Sequence, residues 1–586
     1  MRLEKNWVKL FSSLFCLLAF LLTACQGSQS TSQQSGQGKA SANKQIYIYP
    51  LAGYTDLLTF DPALAYDNNS VSAISMVFTG LVSIDDKMQI HDQLAASHAV
   101  AADGLTWTFK LKPNLKFSDG TPLTSHDVVY SIDRALQPAL KSSTAYYYLK
   151  LIKDADKLQD GKLKTLINDS LQTPDDQTVV ILARQPAAYF LYTLTYACAD
   201  VVEKSMIDKY GNNFADHLAE GIGGNGPWKV AKYERGKRIE FVPNQNYYGA
   251  RPQLKKVVMP FYAQKDTLYK DYQVNRVDMA PVPTTQIVQA RTLPGKQFHS
   301  VPQLWIEYLT MNYKAKPFDN IKIRQAFALA VNKDEIAHNI YKDSVIATNH
   351  IVPQGMPGYN PDLTGPTGVK DTRGDPAKAR QLFTEGLKEA GYTPSSLPPI
   401  SLLLASEGSD EVRNEAAALQ QMWQTALGVN VKINDVSDGN AFTVIANSAK
   451  TNPQSLQMWF ADWIADYPDP QDFLSLLFDK GAARNRWNYG DNQSSDIAAQ
   501  QANQRLMDAA DVNANASERL QQYHQIEQQL INEVAWVPKY QQVSNYVLKS
   551  CVVGVIDNSF NLIPSDDWSK VYISNDPNCV DSSQYQ

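Results

Sequence analysis

WTFKLKPNLKFSDGTPLTSHDVVYS, residues 107–131, changes its period halfway along. Trp107, Phe109 and Leu111 fall on one face of an alternating run that starts at Leu105, the pattern of a half-buried strand. Pro113-Asn114 and Phe117-Ser118-Asp119-Gly120 then turn the chain twice. Thr124 is placed to cap a helix over residues 125–136. Strand, turns and capped helix in one short stretch predict an α/β protein, and the rest of the chain repeats that grammar. Ile46-Tyr47-Ile48-Tyr49 reads as a first strand ended by Pro50. Asp319 or Asn320 caps a helix running through Phe327 and Val331. Asp375-Pro376 opens a helix whose apolar stripe is Ala379, Leu382, Phe383, Leu387 and Ala390, with Gly391 as its stop. A further helix over 410–427 ends at Gly428, and a strand over 429–433 follows. Helix, glycine and strand in succession indicate α/β layering. No short-period repeat of the solenoid kind occurs.

The N-terminus sets the compartment. Arg2, Lys5 and Lys9 precede 13 apolar-rich residues, Leu10 to Leu22. That run is shorter than the ~20 residues a membrane-spanning helix needs and suits a cleaved secretory signal over 1–24. Leu22-Thr23-Ala24-Cys25 ends it, and a cysteine there is the usual site of diacylglyceryl attachment in bacterial lipoproteins. Residues 25–43 hold no large apolar side chain and are expected to form the lipidated cysteine and a flexible linker. As a coil, the 18 residues 26–43 would span roughly 20–25 Å.

Of 586 residues, 44% are hydrophobic and 19% charged, the make-up of a globular chain too long for one core. A net charge of −6 gives no reason to expect nucleic acid. No Cys or His cluster has metal-ligand spacing, and no metal or cofactor is expected. Beyond Cys16 in the signal and Cys25, Cys198, Cys551 and Cys579 remain. An exported chain permits a disulfide, with Cys551–Cys579 the candidate pair.

Several segments together resemble the family 5 solute-binding proteins of ABC transporters, the oligopeptide- and dipeptide-binding type. Residues 107–131 are similar to that family's signature region. Phe60-Asp61-Pro62, Phe78-Thr79-Gly80-Leu81, Gly224-Asn225-Gly226-Pro227-Trp228 and Pro243-Asn244-Gln245-Asn246-Tyr247-Tyr248-Gly249 are similar to further landmarks. So are Pro317-Phe318-Asp319 to Arg324-Gln325-Ala326, Leu427-Gly428-Val429-Asn430-Val431 and Asp462-Trp463-Ile464-Ala465-Asp466-Tyr467. The resemblance implies a class II periplasmic-binding-protein fold, two lobes closing on a ligand with two crossovers plus an inserted third lobe. Residues 44–79, 203–304 and 541–586 would form lobe I, 80–202 the inserted lobe II, and 305–540 lobe III.

It also implies a site. In peptide-binding members the aspartate of a Trp-x-x-Asp segment pairs with the ligand's α-amino group, which maps onto Trp463 and Asp466, with Asp462 and Asp469 close by. Trp305, Tyr308, Tyr146 and Tyr148 sit where the family places pocket or crossover residues, and Tyr540 lies near the second crossover. The chain departs from the pattern at Phe460, where some members carry arginine, at Asp462, where glycine is common, and at Tyr66, where some carry an acid. Arg413, and otherwise Arg484 and Arg486, are the candidates for a ligand carboxylate. The implied role is a monomeric, lipid-anchored binding protein on the outer face of the cytoplasmic membrane, delivering oligopeptides to ABC permease subunits. Alternatives on the same fold are a dipeptide, an oligosaccharide, a nickel chelate or a signalling peptide as ligand, or a sensor or chaperone role. An exported hydrolase would need a nucleophile elbow or paired carboxylates, and G-x-S-x-G is absent.

Overall fold

The computed structural model describes residues 38–586, apart from 437–438, 450, 454–455 and 561. Cys25, the signal and most of the linker lie outside the described residues. Packing begins at Lys39 rather than at the expected 44. Lys39 bridges to Ser574, the Ala40 amide donates to the Ile573 carbonyl at 2.9 Å, and Ala40 is buried. A small side chain at Ala40 lets this otherwise polar stretch lie against the core.

Residues 107–131 fold much as their pattern predicts. The strand is Thr106–Leu111, with Trp107, Phe109 and Leu111 buried, and the helix is Ser125–Leu136. The Thr124 amide and hydroxyl both donate to Asp127 Oδ2, at 2.9 and 3.1 Å, so the first turn of the helix is closed from below. The strand sits in a four-stranded antiparallel sheet with Ala95–Val100, Thr178–Leu182 and Leu171–Asp175. The helix packs on that sheet around Phe109, Val128, Ile132 and Leu136.

The other landmarks knit this unit to a five-stranded sheet built on Ile46–Ile48, Lys256–Tyr262, Arg238–Pro243 and Trp228–Glu234. Asp61 takes both guanidinium nitrogens of Arg134, at 3.0 and 2.5 Å, in a buried fork that ties the first landmark to the capped helix. Asn225 Oδ1 accepts from the Thr79 amide at 2.7 Å, while the Asn225 and Gly226 amides share the Val77 carbonyl at 2.9 and 2.7 Å. Tyr248 and Thr79 hydroxyls meet at 3.1 Å. A side chain at Gly226 would place its Cβ 2.7 Å from the Val77 carbonyl carbon and 2.8 Å from the Met76 oxygen. Backbone cannot step aside there. Gly226→Ala is therefore expected to destabilise by about 1–3 kcal/mol, read as a lower urea midpoint without change of slope.

A seven-stranded sheet carries the larger C-terminal unit, in the order Met279–Pro281, Val537–Leu548, Phe298–Met311, Met458–Ile464, Ile400–Leu404 and Val431–Asp435, with Val345–Ala347 added to Val537–Leu548. Gly428 adopts φ 72° and ends the helix Asp410–Leu427 as expected, and the strand that follows is Val431–Asp435 rather than 429–433. Asn320, not Asp319, caps the helix Ile321–Leu329, accepting from Lys322 and Ile323 amides. Arg324 on that helix is fully buried and donates to the Glu533 and Phe318 carbonyls and to Asp496. Phe298–Met311 and Val537–Leu548 are the longest strands and pair antiparallel, passing from the first core to this one as two crossovers. Alternation along Phe298–Met311 sends Ile306 and Tyr308 into one cluster and Leu309 and Met311 into the other.

Candidate functional site

Asp466 stands just past the end of the strand Met458–Ile464, where the chain turns sharply. Asp472 builds that turn. Its Oδ2 accepts from the Asp466 amide and from the Trp463 indole, both at 3.1 Å, and the residue is fully buried. Asp469 is already engaged: it caps Pro470–Phe473 and takes Arg519 in a buried fork at 2.9 and 2.6 Å. Asp466 differs from Asp469: its Oδ2, like Asp472 Oδ1, is buried with no hydrogen-bond partner. Burial pushes its carboxyl up to about 7, against the Tyr148 hydroxyl and Arg484, which pull it down. A carboxyl so placed gains most from a cation supplied from outside the chain.

Aromatic side chains of residues 147–196 wall this turn. Tyr148 stacks on Tyr196 at 4.0 Å, and Tyr467 lies between Tyr189 and Tyr192, each 6.3 Å away. Tyr467 is counted in the same core cluster as the signature helix, so the two halves of the molecule touch here. Tyr147 also faces the turn, with its buried hydroxyl beside Arg484. Asp466 and Asp472 raise its pKa further after burial has done so.

A second acidic group lies one step along the sheet. Glu307 and Asp462 are directly opposed across the antiparallel pair. Burial and then Asp462 raise Glu307 to about 8, and burial raises Asp462 despite Lys539. Asp462 is nevertheless open to solvent. A group reached by water yet walled by protein lines a cleft. Trp305, on the same strand face as Glu307, lies beside Asp462.

The expected site residues divide. Asp466, Trp463 and Tyr148 come together at the turn, and Trp305 joins Asp462 along the cleft. Tyr146 packs against the core of the four-stranded unit. Tyr308 is buried and stacks on Trp536 at 3.5 Å. The Tyr540 hydroxyl donates to Tyr341 and to Glu415, at 2.9 and 3.1 Å, inside the core. Arg413 pairs with Asp410 at 2.6 Å and bonds Ser406 and Gly408, holding the entry to its own helix. Arg484 instead reaches the site, 5.8 Å from the ring centroids of both Tyr147 and Trp463. Glu307, Asp472, Tyr147 and Tyr196 were not singled out by the sequence. Glu307 was within reach, since it sits two residues from Trp305 on one strand face. Cys551 and Cys579 lie beside each other as free thiols, Cys551 buried and Cys579 half-buried. Voids of about 10 Å³ beside Lys333 and about 20 Å³ between Tyr49 and Tyr546 could hold a water at most. Among the described residues no group of three His, Cys, Asp or Glu is placed to hold a metal, and no helix is long and apolar enough to cross a membrane.

Comparison with known proteins agrees with this architecture. The oligopeptide-binding protein OppA of Bacillus subtilis is 26% identical over 570 residues, covering 94% of this chain and 97% of its own. A dipeptide-binding protein of Lactococcus lactis is 29% identical over 493 residues, covering 80% and 82%. Among solved structures, the murein tripeptide binding protein MppA of Escherichia coli superposes with a TM-score of 0.73 at 22% identity, covering 91% of this chain and 99% of its own. Haemophilus influenzae OppA in complex with the peptide RPPGFSPFR gives 0.70 at 21% identity, with coverage of 91% and 99%. The model of the bacterial extracellular solute-binding proteins, family 5 Middle, matches residues 89–485. The chain belongs to the family 5 bacterial extracellular solute-binding proteins, which bind rather than transform their ligands.

Proposed function

We propose that this protein captures extracellular oligopeptides for an ABC importer, with Asp466 binding the ligand's α-ammonium group. One observation carries the reading: a carboxyl just past the end of the strand Met458–Ile464 has a buried oxygen with no partner and is pushed up to about 7 by burial. The relatives named for oligopeptides and dipeptides supply the ligand class. Tyr148, Tyr196 and Tyr147 would close over the first residue of the peptide, and the cleft along Trp305 and Asp462 would receive its extended backbone. Strand-like pairing of a ligand backbone needs little side-chain selectivity.

The sequence Leu22-Thr23-Ala24-Cys25 supports a lipid anchor at Cys25, which would keep the captured ligand close to the permease subunits. A diacylated, N-acylated cysteine supplies more than the single chain that binds membranes only marginally. No chemical step is required of the site.

Native mass spectrometry of the freshly purified mature protein is the direct test of ligand class. A ladder of co-purified masses that fragments into peptides is expected. A population of co-purified sugars, with no peptide, would overturn the assignment.

A further inference from the structure

Cys551 and Cys579 take no part in the ligand site. Both belong to one apolar cluster, Cys551 buried within it and Cys579 half-buried against it. Ser574 links them: its amide donates to the Cys551 carbonyl at 2.8 Å, and its carbonyl accepts from the Cys579 thiol at 3.5 Å. Next to them Ser550 Oγ donates to Asp576 Oδ2 at 2.8 Å and holds the same two stretches together. The contact between the thiols pulls Cys579 below its ordinary value and pushes Cys551 up, with burial adding to the rise. The more ionisable sulfur is thus the more accessible one. Cys198 is buried in a different cluster.

The stretch between the two cysteines forms a seam. Val552–Val553 pairs antiparallel with Tyr572–Ile573, and so short a ladder is marginal alone. Ile573 in turn carries the first packed residues of the chain. The Ala40 amide donates to its carbonyl at 2.9 Å. Buried Gln45 closes on both: Oε1 accepts from the Ile573 amide at 2.9 Å, and Nε2 donates to the Ile573 and Ala40 carbonyls at 2.8 and 2.9 Å. Asn575 Nδ2 reaches the Lys39 carbonyl at 3.2 Å. Beyond Cys579, Val580 and Tyr585 lie on the neighbouring cluster, and Lys256 donates to the Tyr585 carbonyl at 2.5 Å.

We propose that Cys551 and Cys579 are joined by a disulfide in the exported protein, a staple that keeps the C-terminal segment, and with it residues 39–45, packed on the core. This rests on export of the chain and not on the class of ligand. The oxidant is a disulfide-bearing thiol oxidoreductase outside the cytoplasm. The Cys579 thiolate attacks one sulfur of that disulfide and expels the other as a thiolate. Cys551, deprotonated in turn, attacks the Cys579 sulfur and releases the second thiolate. The chain loses two electrons and two protons, and the oxidant leaves as its dithiol.

The full chain, made with its own signal and isolated from the cell envelope without reductant, is denatured in iodoacetamide and mapped by peptide mass spectrometry. A cross-linked Cys551–Cys579 peptide that separates on reduction is expected. Alkylation of both cysteines without reduction would overturn the disulfide. Hydrogen exchange of the wild type before and after reduction by a phosphine, checked by loss of the cross-linked peptide, reads the staple. Amides of residues 39–45 and 572–586 should exchange at least about tenfold faster after reduction, while those of Met458–Ile464 keep their protection. The C551A/C579A variant should match the reduced wild type. Equal protection of residues 39–45 and 572–586 before and after reduction would overturn the staple.

Discussion

Asp466→Asn weakens binding of a free-amine peptide by about 3–5 kcal/mol, a rise in Kd of roughly 10²- to 10³-fold or more. The loss is large because a bound ammonium would be left in an aromatic enclosure with no anion. The same substitution has the opposite effect on the empty protein. Asp466 is raised from its ordinary 3.8 to about 7, so the folded state prefers the protonated acid. Its contribution to stability is therefore present below about pH 4 and lost as pH rises through 7. Asparagine cannot ionise, so the ligand-free variant should unfold at a higher temperature than the wild type at pH 8, and by a clearly smaller margin at pH 5. Peptide binding to the wild type has the matching sign: an ammonium ligand needs the ionised acid, so affinity falls as pH drops from 8 to 6. Calorimetry of binding and of unfolding at the two pH values checks both halves. A binding site that costs stability when empty is the expected trade-off at a functional position.

Lys539→Met should be the most damaging single change away from Asp466. Lys539 Nζ lies 2.6 Å from Glu415 Oε1, and both side chains are almost wholly inaccessible. The ammonium also sits 3.7 Å from the Phe460 ring centroid. Removing it strands Glu415 and takes away the cation that offsets Glu307 and Asp462. Breaking a buried pair from one side costs about 3–5 kcal/mol, and a urea midpoint lower by that equivalent is expected. Replacing both partners in Lys539→Met/Glu415→Leu should recover most of the loss, since the stranded charge is then gone. A double variant as unstable as the single one would show that packing of the lysine stem, not charge, is what matters.

The landmarks that made the fold legible turn out to be braces. Asp61 grips Arg134, Asn225 and Gly226 clamp residues 77–79, and Arg324 fastens the Phe318 and Glu533 carbonyls and the Asp496 carboxylate. Such residues are constrained by backbone geometry, so their order along the chain reveals architecture. The site is less legible for the same reason. Asp466 could be named from its Trp-x-x-Asp spacing, but Asp462, Asp466 and Asp469 are alike in sequence and differ only in which partner each finds in three dimensions. The family resemblance implied Tyr308 as a pocket or crossover residue and set Tyr540 near the second crossover. Strand alternation turns Tyr308 onto Trp536, and Glu415 draws Tyr540 into the core. Arg413 was bound to its own helix entry by Asp410, three residues before it, a contact that local spacing could have suggested. Tyr147 and Tyr196 approach Asp466 from some 270 to 320 residues away in sequence, a juxtaposition that no local pattern encodes.

The central claim is that the ligand's free amine is held by Asp466. Titrating one tetrapeptide and its N-acetylated twin into the wild-type protein at pH 8 tests it most directly. Acetylation removes the charge and keeps the rest of the ligand. The account predicts that the acetylated peptide binds at least about a hundredfold more weakly. Equal affinity for the two would contradict it.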